Sequence, residues 1–220
     1  MSPVKIQHFS DLLCVWAYVA QRRIDELVVS FGDAIELDYH HFSVFGSVRR
    51  KFERSWAQRG GAAGYRAHLA KVEAQFDHLQ LHPKLWIERA PESSLSCHLF
   101  LAAIREAAPE QAPAAAWRLR EAFFCEARDI SSRAEQLAVA EELGLDLAAI
   151  EAQLHSGRAH ARMNEDLELA QGLDVRVSPT LVFNEGRQRL IGNVGYRVIE
   201  ANVRELLHVH EDAEHEASWC

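Results

Sequence analysis

Phe9-Ser10-Asp11-Leu12-Leu13-Cys14-Val15-Trp16-Ala17-Tyr18 is the stretch on which the reading of this chain turns. Upstream, Val4-Lys5-Ile6-Gln7-His8-Phe9 alternates apolar and polar residues as a strand does, with His8 an imperfect member of the inward set. Downstream, Trp16, Val19, Ala20, Ile24, Leu27, Val28 and Phe31 recur at steps of three and four, the mark of an amphipathic helix, and Gly32 is placed to end it. Cys14 therefore stands where a strand gives way to the first turn of a helix. Free amides and the positive end of the helix dipole gather there and favour a thiolate. The position that would complete C-x-x-C is Ala17, so the motif holds a candidate nucleophile without its local resolving partner. The competing reading is a small buried hydrophobe, a common role of free cysteine. Asp11 is placed to cap the helix, and its charge would oppose thiolate formation.

Further along, Ile35-Glu36-Leu37-Asp38-Tyr39-His40 alternates again. A connection this long between two strands predicts parallel pairing through a helical crossover. From Val48 to Ala170 the composition shifts to Ala, Glu, Leu and Arg, and Pro83, Pro91, Pro109 and Pro113 cut it into helix-sized pieces. Ser132 and Glu135 have the spacing of a capping box, and Gly144 a stop. Strand character returns at Thr180–Phe183 and Arg189–Ile191, separated by the turn residues Asn184, Glu185 and Gly186. Asn193 is placed to cap a last helix with the stripe Tyr196, Ile199, Val203 and Leu206. The order fits an α/β chain in which residues 1–47 and 171–207 build one small mixed sheet and residues 48–170 form a helical insertion domain. Residues 208–220 read as a flexible tail.

Composition narrows the function. The chain has 220 residues, 48% of them hydrophobic, and a formal net charge of −8 without a basic stripe, which argues against nucleic acid or an anionic membrane as partner. No apolar run approaches a membrane span, and Leu12–Ala20 is too short and lacks the basic flank of a signal peptide. That points to the cytoplasm. There the four cysteines, Cys14, Cys97, Cys125 and Cys220, stay mostly reduced. Cys97 and Cys125 sit among apolar neighbours and read as core, and Cys220 closes the tail. His208, His210, His215 and Cys220 match no compact metal site, so no metal is expected. His40 and His41 read as half-exposed residues at a strand end, Arg22, Arg23, Arg49, Arg50 and Lys51 as solvated, and Trp56, Trp86 and Trp117 as lining a core or cleft.

Asp11–Val19 resembles the D-x-x-C-P-W-C-Y-x-G segment of the DsbA family in its FrnE-like branch. Cys14, Trp16 and Tyr18 match, Val15 replaces proline, Ala17 replaces the second cysteine, and Ala20 stands near the usual glycine. Leu119–Phe124 with Arg128–Ser131 resembles a second segment of that branch. Val177-Ser178-Pro179-Thr180-Leu181-Val182-Phe183 resembles the segment around its cis-proline. The resemblance covers nearly the whole chain. It implies a thioredoxin-like fold with a helical insertion, and a cis Pro179 facing Cys14. It also implies a site in which Cys14 is the nucleophile, Trp16 shapes the adjoining surface, and Ser178 and Pro179 hold substrate backbone. No tightly bound cofactor is implied. Glutathione enters as co-substrate, thiol or disulfide compounds as substrates, and a second copy as dimer partner. With Ala17 in the motif, three outcomes stay open. Glutathione resolves a mixed disulfide on Cys14, giving monothiol chemistry. Cys14 activates a thiol or electrophile, as in the related kappa-class glutathione transferases and chromene-carboxylate isomerases, where serine is typical. Or the groove binds peptide or ligand without turnover.

Overall fold

Val4 and Ile6 alternate with Lys5 and Gln7 along β1 (Val4–Ser10), and both apolar residues are buried. The computed structural model describes residues 2–87 and 90–212. From β1 the chain enters α1 (Val15–Phe31), which ends at Gly32 with φ +48°, a conformation that costs glycine little. β2 (Ile35–His41) then lies parallel to β1, Val4 opposite Ile35 and Ser10 opposite His41. The helices follow: α2 (Val48–Arg50), α3 (Gly61–Glu73), α4 (Leu95–Ala107), α5 (Ala112–Phe124), α6 (Arg133–Glu142), α7 (Leu147–His155) and α8 (Arg158–Gly172). β3 (Thr180–Phe183) and β4 (Gln188–Ile191) form an antiparallel hairpin through Asn184–Gly186, where Gly186 has φ +105°. α9 (Tyr196–Asp212) closes the described chain.

The sheet order is β2-β1-β3-β4, with β3 antiparallel to β1. This is a thioredoxin-like, α/β arrangement of a mixed sheet with a large helical segment between β2 and β3. On one face Val4, Ile6, Leu181 and Phe183 meet Ile24 and Leu27 of α1 and Ile199, Val203 and Leu206 of α9. On the other, Phe9 and Val182 meet Phe42, Ala170 and Val175. A third core lies within the helices, where Phe100, Leu101, Phe123, Phe124 and Ile130 pack on Leu12, Val15 and Val19. Each large apolar side chain sealed this way contributes roughly 1.5–3 kcal/mol. α1 thus serves two cores, the helical one with its first turns and the sheet with its last.

Local signals were redirected at several places. Ser132 precedes α6 but its side chain makes no capping bond, and the Glu135 carboxylate accepts from Arg128 Nε at 2.7 Å while the Ser132 amide donates to the Asp129 carbonyl. A charged donor outcompetes a neutral backbone amide. Asn193 does not cap α9 either. Its Oδ1 accepts from Arg23 Nη1, and the Gly195 carbonyl accepts from Val198 and Ile199. α9 also continues to Asp212, past the point at which the sequence suggests a tail, while residues 213–220, Cys220 among them, lie outside the described residues.

Candidate functional site

The end of β1 delivers Asp11 and Cys14 to the junction of sheet and helices. Cys14 is the N-cap residue of α1, with extended backbone (φ −84°, ψ 115°), and its side chain makes no capping bond. Its sulfur donates instead to the Ser178 carbonyl, 3.3 Å away. The Ser178–Pro179 peptide is cis, and both residues are buried. The structure therefore brings Cys14, Ser178 and Pro179 together across more than 160 residues of chain. Trp16, in the first turn of α1, is half-buried and lies against α3 and the chain beyond it, its ring centre 5.9 Å from that of His68 and 6.3 Å from that of Phe76.

The ionisation expected of the thiol is not what the surroundings favour. Cys14 is only 6% exposed. Burial pushes its pKa up, and the nearby Asp11 charge adds to the rise. The Ser178 hydroxyl and the amides of Ala17 and Trp16 pull the other way without overcoming it. A helix start lowers a thiol's pKa when the sulfur is partly hydrated, whereas withdrawal from water penalises the anion directly. The resting thiol is neutral and donates to a carbonyl.

Asp11 does not cap α1; it ties the junction together. Its Oδ1 accepts from Leu13 N at 2.8 Å, and its Oδ2 from Val44 N at 2.7 Å, Phe45 N at 2.8 Å and Ser94 Oγ at 2.8 Å. Its own amide donates to Ser178 Oγ at 3.0 Å. Burial pushes this carboxyl up, yet His98 and the donors from Leu13 and Phe45 outweigh it, so the pKa falls below the usual range. An ionised carboxylate with its lone pairs occupied is no proton acceptor for Cys14. The loop after β2 and the start of α4 meet this side chain, and the cis-proline segment meets its backbone amide, where the sequence suggests only a local cap.

Other buried polar groups surround the junction. His40 and His41 are 4% exposed each, where sequence suggested half-exposed. Asp166 of α8 holds the His40 ring, its Oδ1 2.8 Å from His40 Nδ1, and its Oδ2 accepts from the His41 backbone amide at 3.0 Å and from Arg105 Nη1 at 2.7 Å, while the His41 ring lies beside that of His98, 5.6 Å between centres. Burial lowers His40, but Asp166 and Asp38 outweigh it and raise the net pKa. Arg120, which no local signal marks, is 1% exposed. Cys97 is sealed in the helical core, as expected, whereas Cys125 is only partly buried and lies 3.1 Å from the Tyr18 hydroxyl. Trp86 is buried, and Trp56 and Trp117 are half-buried at the edge of the same core. Among the described residues, no group of three His, Cys, Asp or Glu side chains is placed to hold a metal ion. No described helix is long and apolar enough to cross a membrane.

Comparison with known proteins agrees with this geometry. The ClpXP adapter protein SpxH of Halalkalibacterium halodurans is 24% identical over 186 residues, covering 82% of this chain and 58% of the adapter, so the chain spans just over half the length of that relative. A structure from Streptomyces coelicolor described as a probable DsbA oxidoreductase superposes with a TM-score of 0.73 at 18% identity, covering 99% of this chain and 92% of the other. The cytosolic disulfide reductase DsbM of Pseudomonas aeruginosa, solved with glutathione, gives a TM-score of 0.66 at 16% identity, covering 94% and 98%. At such identities the two structures speak for the fold alone. The profile of the DSBA-like thioredoxin domain, however, runs from residue 5 to residue 204, taking in Asp11, Cys14 and the Ser178–Pro179 segment in one continuous match. On that match and the sheet order that brings these residues together, the chain belongs to the DSBA-like thioredoxin domain family.

Proposed function

We propose that this protein is a monothiol thiol–disulfide oxidoreductase of the FrnE-like branch, cytoplasmic and glutathione-linked, with Cys14 as its nucleophile. The observation that carries the reading is the 3.3 Å contact between Cys14 Sγ and the Ser178 carbonyl, at a helix start and beside Pro179. An extended substrate pairing with the backbone of Ser178 would lay its disulfide across this sulfur. Trp16 supplies the neighbouring apolar surface.

The cycle needs no second cysteine. Cys14 loses its proton to solvent, and the thiolate attacks the glutathione sulfur of a protein–glutathione mixed disulfide. The protein thiolate leaves and takes up a proton, and Cys14 carries the glutathionyl group. A second glutathione, as thiolate, attacks that group's sulfur. Cys14 leaves as thiolate, and oxidised glutathione departs. The substrate thiol is reduced, one free glutathione is oxidised, and it leaves joined to the glutathionyl group that came from the substrate. Binding of substrate to Ser178 would displace the thiol from the carbonyl, so the neutral buried sulfur is the closed form of the site.

A second reading, a groove that binds a partner without turnover, is favoured by the burial of Cys14 and accords with an adapter among the relatives. Incubation with oxidised glutathione, followed by intact mass and peptide mapping, separates the two. Monothiol chemistry gives one glutathionyl group on Cys14, absent from Cys14→Ser and removed by reduced glutathione. An unmodified Cys14, with full modification at Cys125 as internal control, leaves the binding reading.

A further inference from the structure

Between β2, α4, α5 and α8 lies a cavity of about 370 Å³ that Cys14 does not line. Its walls divide by character. Leu37, Leu101, Ala112, Pro113 and Ala116 give it an apolar side. Its acids, Asp38 and Glu106, are exposed at the rim. Its buried wall carries Arg120 and His41, 1% and 4% exposed.

Arg120 is the unusual member. Its guanidinium donates to two neutral acceptors, Ser10 Oγ at 2.8 Å and Gln21 Oε1 at 3.3 Å. Its Nε proton has no acceptor, and among the described residues no carboxylate lies within ion-pairing distance. His41 Nε2, on the same wall, also lacks a partner. Withdrawing a cation from water without an ion pair costs several kcal/mol, and burial pulls the Arg120 pKa down even though the charges of Asp11 and Asp25, beyond ion-pairing distance, favour the cation. The other two arginines of the cavity have carboxylate partners: Arg105 pairs with Asp166 and Asp38, and Arg162 with Glu165 at 3.4 Å, although its Nε lacks an acceptor as well.

We propose that this cavity is a second binding site, for a small monocarboxylate with an apolar body, its carboxylate paired with Arg120 and its aliphatic or aromatic body against Leu37, Leu101 and Ala116. One free guanidinium matches one negative charge. A phosphate would bring a second charge past Asp38 and Glu106 and find no second arginine without a carboxylate partner. The apolar wall supplies the affinity that a bare anion such as acetate would lack.

Calorimetric titration of the full chain with benzoate, hexanoate and the neutral isostere benzamide tests this. Benzoate or hexanoate is expected to bind saturably, with benzamide at least about tenfold weaker, the factor that a buried charged hydrogen bond commands. Cys14→Ser should leave binding unchanged, which separates this site from the thiol chemistry. Arg120→Met should abolish the preference for the acid, and Ala116→Leu, which fills the cavity and keeps the arginine, should abolish binding altogether. Circular dichroism identifies the variants that remain folded, and either one suffices. The proposal is overturned by equal affinity for benzoate and benzamide, by binding that survives in folded Ala116→Leu, or by no saturable binding of either acid, which would mark the cavity as filled with water only.

Discussion

Asp11 and Cys14 stand three residues apart, are both buried, and ionise in opposite senses. The carboxyl is pushed below its ordinary range and the thiol above. The difference lies in the donors. Backbone amides of Leu13, Val44 and Phe45 and the Ser94 hydroxyl converge on Asp11, whereas the one contact Cys14 makes at 3.3 Å is with a carbonyl, an acceptor that favours the protonated sulfur. Burial pushes both groups up; the donors and His98 reverse it at Asp11, and the weaker set facing Cys14 does not.

The sharpest way to break the contrast is to take the acceptor from the donors. Asp11→Leu leaves the Val44, Phe45, Leu13 and Ser94 donors unsatisfied and is expected to cost about 3–5 kcal/mol in urea unfolding. Asp11→Asn, keeping one acceptor oxygen and no charge, should cost less. Because the Asp11 charge helps to raise the thiol, the asparagine variant should also alkylate faster at Cys14 with iodoacetamide at pH 8. A loss below about 1 kcal/mol for the leucine variant would mean that the junction is held by other contacts.

His8 extends the Cys14 side of the contrast to its limit. It is fully buried on the α1 face of the sheet, neither ring nitrogen has a partner, and burial, aided by Arg120 and His40, pushes its pKa down to about 3. The folded state holds it neutral, while the unfolded chain takes up a proton below about pH 6.5. Its contribution is therefore intact above that pH and is lost as pH falls toward 3. His8→Leu should flatten the pH dependence of stability by about 1.4 kcal/mol per pH unit in this window, or about 2 kcal/mol at pH 5 relative to pH 7. His40 titrates with the opposite sign in both proteins and cancels from the difference. Parallel pH profiles for the two proteins would show that His8 is charged in the fold.

The smallest effect tests the link between the two groups. The Ser178 hydroxyl accepts from the Asp11 amide and pulls the Cys14 thiol down. Ser178→Ala should cost about 1 kcal/mol and slow alkylation of Cys14 a few-fold at pH 8. An unchanged rate would place the hydroxyl's influence on the carboxyl side alone.

Much of the architecture was legible because its signals are local. Alternation marked β1 and β2, three-and-four spacing marked α1, and Asn184–Gly186 marked the hairpin. The meeting of Cys14 with Pro179 rested on the family resemblance, since no local pattern ties residues so distant. What stayed hidden was the wiring of polar groups. Asp11 looks like a cap because nothing near it reveals that the 44–45 loop and Ser94 will arrive. His40 and His41 look half-exposed because the groups beside their rings, Asp166 and His98, come from helices far along the chain. The thiol's ionisation was misjudged for the same reason: proximity to a helix start is written locally, and exclusion of water is a property of the whole assembly.

The double duty of α1 has a mechanical corollary. A rigid rod anchored at one end among helices and at the other beneath a sheet couples the two compartments, so the protein is expected to melt in a single step. Among the described residues Trp16, Trp56, Trp86 and Trp117 all belong to or border the helical compartment, which makes their fluorescence, measured in a Trp219→Phe background, a gauge of that compartment and, through the shared rod, of the sheet, whose strands carry no indole.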